Sequence, residues 1–154
     1  MSNGTVIKDG MGQEKVDVYT FWAVASMIIR FVIYGALGCL MEVLWTGLCS
    51  LIGKDLKLSS KTSLWMFFIY GMVIFLEPLF RLVSPLNFLL RGLIYAALIM
   101  TGEFFTGTIL QRARACPWDY SHSRFNVRGV IRFDYLPAWA IAGLVFEQIY
   151  WVIV

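Results

Sequence analysis

Apolar residues are gathered into four long runs that are separated by polar connections. The runs cover residues 28–51, 63–82, 88–110 and 135–154. Each is long enough for one helical crossing of a bilayer, which needs about 20 residues. Since backbone N–H and C=O groups cannot stay unpaired in hydrocarbon, all four runs are predicted to be helical despite their many β-branched and aromatic residues. The apolar stretch 21–27 precedes Arg30 and is interpreted as an interfacial approach to the first span, with extra turns of that span as the alternative.

The lengths of the connections predict how these helices pair. Residues 52–62 and 83–87 form short connections, which make consecutive helices antiparallel neighbours, whereas the connection 111–134 is longer. The prediction is an all-α, polytopic membrane protein with four transmembrane helices, built as two tandem helical hairpins. Residues 21–154 would form this single domain, after a polar and flexible segment over residues 1–20.

The two hairpins carry an internal repeat. Arg30–Glu42 aligns with Arg91–Glu103 at an offset of 61 residues, with a shared Arg-to-Glu spacing. The aligned pairs also include Tyr34 with Tyr95, and each copy is followed closely by Thr-Gly, at Thr46 and Thr106. A shared apolar composition is the alternative, but the spacing favours duplication. Because a hairpin contains an even number of crossings, the copies would have the same orientation, as in the parallel repeats of some transporters.

Composition and charge support a membrane location. The chain is 59% hydrophobic and 15% charged with a mean hydropathy of +0.71, which excludes a soluble domain. Eight of the 13 basic residues lie in the connections 52–62 and 111–134. The positive-inside rule therefore predicts that these connections are cytoplasmic and that both termini lie on the opposite side. Basic connections suit lipid headgroups, and no nucleic-acid partner is expected.

Each predicted span carries one glutamate: Glu42, Glu77, Glu103 and Glu147. A carboxylate at membrane depth costs about 2.5–3.5 kcal/mol on insertion scales, so these residues need a reason to be there. With a rise of ~1.5 Å per residue, Glu42 and Glu103 lie toward the side of the basic connections and the other two lie toward the opposite side. The repeat thus predicts two carboxylate pairs at two depths.

Arginines can neutralise one of these pairs. Arg81 follows Glu77 by four residues, a spacing that places both on one helix face. Arg30 and Arg91 begin their helices on the same side of the membrane and could snorkel toward Glu77 or Glu147. All five residues are predicted to form structural ion pairs.

The other pair has no arginine within reach on its own helices. Glu42 and Glu103 lie ~18 Å along the helix axis from Arg30 and Arg91. They need a proton, a contact with each other or a bound guest molecule, since two nearby carboxylates in a low dielectric cannot both remain charged. The predicted binding residues are Glu42, Glu103, Thr46, Thr106, Tyr34 and Tyr95. The alternative is that each glutamate is protonated and hydrogen-bonded to a neighbouring helix.

The long connection contains the motif Cys116-Pro117-Trp118-Asp119-Tyr120-Ser121, followed by Asn126 and Gly129. Proline and aspartate favour a turn, and the aromatic residues suit headgroup depth, so an ordered interfacial turn is predicted. His122 has no His or Cys partner at metal-ligand spacing, and no phosphate-binding loop or hydrolase motif occurs. No metal, no ATP site and no other cofactor is expected.

The chain resembles the transmembrane protein 229 family of animals at Glu42–Trp45, Glu103–Leu110, Ala115–Ser121 and Phe146–Gln148. It resembles more distantly a bacterial group labelled as ABC-transporter type IV, which shares the Trp-Asp-Tyr-Ser loop followed by Asn and Gly. The resemblance covers about residues 31–150. It implies a small multi-pass membrane protein without a settled activity, and nothing in this chain could supply an ATPase.

Three hypotheses of function follow. The first is binding or passage of a small polar or cationic solute, or of a lipid headgroup, at Glu42 and Glu103. The second is a membrane-embedded adaptor whose basic loop docks a partner or anionic lipid. The third is a lipid-modifying enzyme with Asp119 and Glu103 as acid and base, although the missing motifs favour a protein that is not an enzyme. Expected partners are membrane lipids, together with a second copy or another membrane protein.

Overall fold

The computed structural model of the chain describes residues 10–154, with side chains from residue 18 onward. Five α-helices are present in this part: α1 (Gly10–Ile52), α2 (Leu64–Gly71), α3 (Glu77–Val83), α4 (Phe88–Arg112) and α5 (Leu136–Ile153). Short 3₁₀ segments cover Met72–Leu76 and Phe133–Tyr135, and β1 (Asn126–Val127) pairs antiparallel with β2 (Ile131–Arg132). Four helical stretches are long and apolar enough to cross a membrane, at residues 18–52, 64–83, 88–112 and 133–153. The predicted all-α architecture with four spans is therefore confirmed.

The first helix is longer than one crossing requires. Its apolar stretch has 35 residues, about 50 Å at the rise of an α-helix, compared with ~30 Å for the hydrocarbon core. Residues 21–27 are turns of this helix and not a separate interfacial helix, since neither Gly nor Pro interrupts the chain there. Residues 1–9 of the predicted flexible segment lie outside the described residues, and its remainder belongs to α1.

The second span is interrupted in the middle, where a single helix over residues 63–82 was predicted. The chain changes from α2 to a 3₁₀ segment at Met72 and returns to α-helix at Glu77. Pro78 lies in the first turn of α3 and has no N–H to donate to the carbonyl one turn earlier. The tighter 3₁₀ segment lies immediately before this missing hydrogen bond.

Consecutive spans pack as two hairpins. α1 packs mainly on α2 and the following 3₁₀ segment, and α4 packs on α5. Glycine permits the closest approach in each hairpin: Gly38 faces the ring of Tyr70, and Gly143 faces that of Tyr95. A side chain at either glycine would occupy the space of the tyrosine ring. Close packing through small residues is the usual way in which helices associate in lipid.

Aromatic residues join the two hairpins. Phe80 lies 5.3 Å from Tyr95 and 5.5 Å from Tyr150, measured between ring centroids, and Tyr34 lies 6.1 Å from Phe146. All five side chains are almost completely buried. By contrast, many large apolar side chains on the outer helix faces are exposed, as expected for surfaces that contact lipid.

Candidate functional site

A cavity of about 400 Å³ lies between the hairpins, at the end of the bundle that carries the two longer connections. Its wall includes residues of α1, α2, α4 and α5 and of both connections. Glu42 and Glu103 both line it, so the structure brings the two repeat-related carboxylates to one site. Its size is that of a small-molecule pocket rather than of a single-ion site.

Glu42 is held at the cavity by the connection between α1 and α2. Its Oε2 accepts a hydrogen bond of 2.6 Å from the Thr62 hydroxyl. Thr46, which also lines the cavity, donates to the backbone carbonyl of Glu42 at 2.9 Å and accepts from the Lys61 backbone N–H at 3.2 Å. These contacts fix the connection against α1, and they leave Glu42 with a neutral hydroxyl as its partner.

Glu103 is held by the long connection. Its Oε1 accepts a hydrogen bond of 3.0 Å from the Tyr120 hydroxyl. Burial raises the pKa of Tyr120, and the nearby Glu103 carboxylate raises it further, so this hydroxyl stays protonated and able to donate. Glu103 Oε2 and Trp139 Nε1 are both buried in the cavity wall, and the Trp139 side chain lies beside the Glu103 carboxyl group. The Glu103 carboxyl group therefore has a hydroxyl and an indole N–H beside it.

Neither carboxylate of the cavity forms an ion pair within residues 18–154, whose side chains the structure describes. Lys61 lines the cavity, but it belongs to the exposed connection and makes no ion pair with Glu42 or Glu103. The partners of both carboxyl groups are neutral: the hydroxyls of Thr62 and Tyr120, and the Trp139 side chain beside Glu103. A positive charge in the cavity would therefore find two carboxyl groups without a resident counter-ion.

Aromatic rings form much of the remaining wall. The ring centroids of Trp45 and Tyr135 are 5.9 Å apart, those of Tyr135 and Trp139 are 6.4 Å apart, and those of Tyr120 and Tyr135 are 5.7 Å apart. Tyr70 also lines the cavity. Sequence analysis did not identify this wall, because its residues come from distant segments with no shared spacing.

The loop motif folds into a cap over the cavity. The Tyr120 backbone N–H donates to the Gly129 carbonyl at 2.8 Å, and the Gly129 N–H donates to Asn126 Oδ1 at 3.0 Å. Gly129 has a φ of +70°, a conformation that glycine adopts with little strain. Trp118 Nε1 donates to the Val130 carbonyl at 2.9 Å. The motif places Pro117, Trp118 and Tyr120 in the cavity wall, beyond the interfacial turn predicted from the sequence.

Other residues of the motif stabilise the loop itself. Asp119 Oδ1 accepts from the Ser121 N–H at 2.9 Å, and this N–H holds the pKa of Asp119 below its usual range. The Cys116 thiol donates to the Trp118 carbonyl, and burial raises the pKa of this thiol. Neither Asp119 nor Cys116 is among the described residues that line the cavity. The acid–base pair of Asp119 and Glu103 is thus not assembled in one cavity.

The other two glutamates are paired with arginine. Arg30 Nε lies 3.1 Å from Glu77 Oε1, and Arg91 Nη1 lies 2.6 Å from Glu147 Oε1. Each pair joins the first helix of a hairpin to the second, at repeat-related arginines. Arg81 donates instead to the Tyr150 hydroxyl and lies over the Tyr150 ring, with 5.5 Å between guanidinium carbon and ring centroid.

Three of the predicted binding residues lie outside the cavity. Tyr34 is buried in the core between the hairpins and donates to Glu77 at 3.0 Å, and Tyr95 is buried in the same core. Thr106 donates to the Gly102 carbonyl of its own helix at 2.8 Å. Glu42, Glu103 and Thr46 are the predicted binding residues that the cavity wall includes. Among the described residues, no group of three His, Cys, Asp or Glu side chains could hold a metal ion.

Four apolar helical spans in two hairpins, with a cavity at one end, define the class of this protein as a polytopic integral membrane protein. The chain belongs to the family described as "Putative ABC-transporter type IV", whose model matches residues 29–154. The match includes both hairpins, both connections and every residue of the cavity wall. No solved structure matches the chain.

Proposed function

We propose that the protein binds or transports a small polar or cationic solute, or a lipid headgroup, in the cavity between the hairpins. Glu42 and Glu103 are the binding carboxylates. The observation that carries the proposal is that both line one cavity and that neither has an ion-pair partner among the described side chains. The family's transporter description and the four membrane-spanning helices fit this role.

The argument rests on the free energy of burying carboxylates. A charged group in hydrocarbon is costly unless a partner compensates it, and polar residues kept there commonly mark a substrate or ion pathway. Glu77 and Glu147 have arginine partners. Glu42 and Glu103 have neutral partners, including the hydroxyls of Thr62 and Tyr120, which support a negative charge without neutralising it. A cationic or hydrogen-bond-donating guest would complete both sites.

The proposal also includes the orientation of the protein in the membrane and its relationship to a narrower family. The basic connections 52–62 and 111–134 support a cytoplasmic position for the end of the bundle that contains the cavity, by the positive-inside rule. A solute would then enter from that side.

The loop motif at Ala115–Ser121 supports a relationship to the transmembrane protein 229 family within the wider family. Membrane lipids are the proposed partners.

The test is to measure charge movement on ligand addition. Full-length protein is reconstituted into liposomes of phosphatidylcholine and phosphatidylglycerol and adsorbed to a solid-supported membrane. Rapid addition of methylammonium, ethanolamine or choline should produce transient currents. The double variant Glu42→Gln/Glu103→Gln keeps side-chain volume and hydrogen bonding but removes both charges, so its currents should fall at least tenfold.

Thr106→Val is the matched control, because Thr106 bonds only its own helix in the described structure and lies outside the cavity wall. Its currents should equal those of the unmodified protein. Equal currents in the double glutamate variant would refute the proposal. So would a lack of current with all three amines together with unchanged lipid retention in the double variant, measured by native mass spectrometry.

A further inference from the structure

We infer that the guest is an organic cation, namely a methylated ammonium group carried on an apolar chain. This inference rests on the proposed function and specifies the chemical class of its ligand. Three features of the cavity support it: tryptophans in its wall, two carboxyl groups without an ion-pair partner among the described side chains, and an opening toward lipid.

The aromatic wall selects the kind of cation. Trp45 and Trp139 flank Tyr135 in the cavity wall. The Arg132 guanidinium carbon already lies 4.2 Å from the Tyr135 ring centroid, so the indoles of Trp45 and Trp139 are the rings that we assign to the guest. The faces of aromatic rings attract cations, and aromatic cages are the usual site for methylated ammonium groups. A metal ion or a strongly hydrated ammonium needs several oxygen ligands instead. The cavity contains two carboxylates, one from each hairpin. Among the described residues, no group of three His, Cys, Asp or Glu side chains could hold a metal ion.

The position of the positive charge follows from the carboxyl groups of the cavity. Glu103 Oε1 accepts from Tyr120, and Trp139 lies beside the same carboxyl group. An ammonium group held beside Glu103 would therefore also lie next to the Trp139 indole. Glu42 supplies a second negative charge from the opposite hairpin.

The opening of the cavity indicates the apolar chain. Ile141 and Val145 of α5 and Trp45 of α1 line the cavity, and they are 64%, 39% and 42% exposed. All three lie within membrane-spanning stretches, so the surface that they expose faces lipid. A chain attached to the ammonium group can therefore leave between α1 and α5 into hydrocarbon, where each buried CH₂ contributes about 0.8 kcal/mol in free energy of transfer.

The test is binding of radiolabelled dodecyltrimethylammonium to full-length protein in phosphatidylglycerol nanodiscs, with binding to empty nanodiscs subtracted. Unlabelled tetramethylammonium and dodecylamine compete in parallel. The dodecyl compound should bind more tightly than either competitor, because it alone has both the methylated head and the chain. Trp45→Leu and Trp139→Leu each keep an apolar side chain but remove a ring, and each should weaken binding about fivefold. Glu103→Gln should weaken it more than tenfold.

Trp151→Leu is the matched control, since Trp151 is 51% exposed on α5 and lies outside the cavity wall. Thermal midpoints of all variants show that they are folded. The inference is overturned if both cavity tryptophan variants bind like the Trp151→Leu control, or if dodecylamine binds as tightly as the methylated compound. In that case amine currents that still depend on the glutamates would leave the proposed function standing.

The source of the ammonium group is distinguished by adding phosphatidylcholine to the nanodiscs. If it displaces the labelled probe from the unmodified protein, the inference is supported with a phospholipid headgroup as the guest. If it does not, while the aromatic variants still lose affinity, the inference is supported with a free single-chain amphiphile as the guest.

Discussion

The glutamates at the two ends of the helical bundle have different partners. Toward the chain termini, Glu77 and Glu147 each pair with an arginine from the neighbouring helix. Toward the connections, Glu42 and Glu103 meet neutral hydroxyls and a cavity. All four side chains are glutamates in membrane-spanning helices, so the difference lies in their surroundings. It separates carboxylates that hold the fold together from carboxylates that are available to a guest.

This contrast has a physical basis. A buried ion pair adds little to stability when intact, but removing one partner leaves an uncompensated charge in a low dielectric. Glu147 is completely buried, and its Arg91 partner is only partly exposed. A cavity carboxylate with a hydroxyl partner can instead take up a proton and remain satisfied. The same substitution at the two ends should therefore have very different effects.

The largest effect is expected when one glutamate of each kind is changed to glutamine. Glu147→Gln removes the counter-charge of Arg91 and should lower the free energy of unfolding by about 3 kcal/mol. Glu103→Gln keeps the acceptor for Tyr120 and should change the free energy of unfolding by less than about 1 kcal/mol. Steric trapping in bicelles measures both values. Similar values for the two variants would contradict the division into structural and binding carboxylates.

The next effect is rescue of the ion pair by apolar residues. Arg91→Met alone leaves Glu147 buried with an unpaired charge and should destabilise the protein by about 3–5 kcal/mol. Arg91→Met/Glu147→Met removes both charges and should recover most of that loss. A double-mutant cycle from the same unfolding assay gives the coupling energy. Additive effects of the two changes would show that the pair does not act as a unit.

A smaller effect is expected at the hydroxyl that supports Glu103. Tyr120→Phe removes the 3.0 Å hydrogen bond but keeps the ring in the cavity wall. It should lower the free energy of unfolding by about 1 kcal/mol. The hydroxyl also holds the Glu103 side chain at the cavity, so Tyr120→Phe should weaken ammonium binding as well. Unchanged affinity would contradict this role.

The smallest effect concerns the loop that caps the cavity. The Ser121 N–H lowers the pKa of Asp119 in the folded loop, so the folded loop binds fewer protons than the open one. This contribution is present above about pH 4 and is lost as the pH falls further. Protection of the Ser121 amide in hydrogen exchange, corrected for intrinsic rates, should therefore decrease below pH 4. Asp119→Asn should abolish that decrease, and a persistent decrease would assign it to another group.

Part of the arrangement could be predicted from the residues alone. The lengths of the apolar runs predicted four helical spans, and the short connections predicted two hairpins, since these features depend on local composition and on the thickness of a bilayer. Pro78, which lacks a backbone N–H, indicates the interruption of the second span. The choice between Arg81 and Arg30 as the partner of Glu77 could not be predicted, because it depends on helix rotation and on the position of Tyr150.

The sequence by itself determined that the chain belongs in a membrane, that it crosses four times, and that each crossing carries one carboxylate, because apolar length and residue type are local properties. Only the tertiary structure decided which carboxylates receive an arginine and which face a cavity. It also brought Trp45, Tyr70, Tyr120 and Trp139 into the wall of the cavity that Glu103 lines. Helix rotation and loop folding determine these contacts across long sequence separations, and no spacing along the chain encodes them.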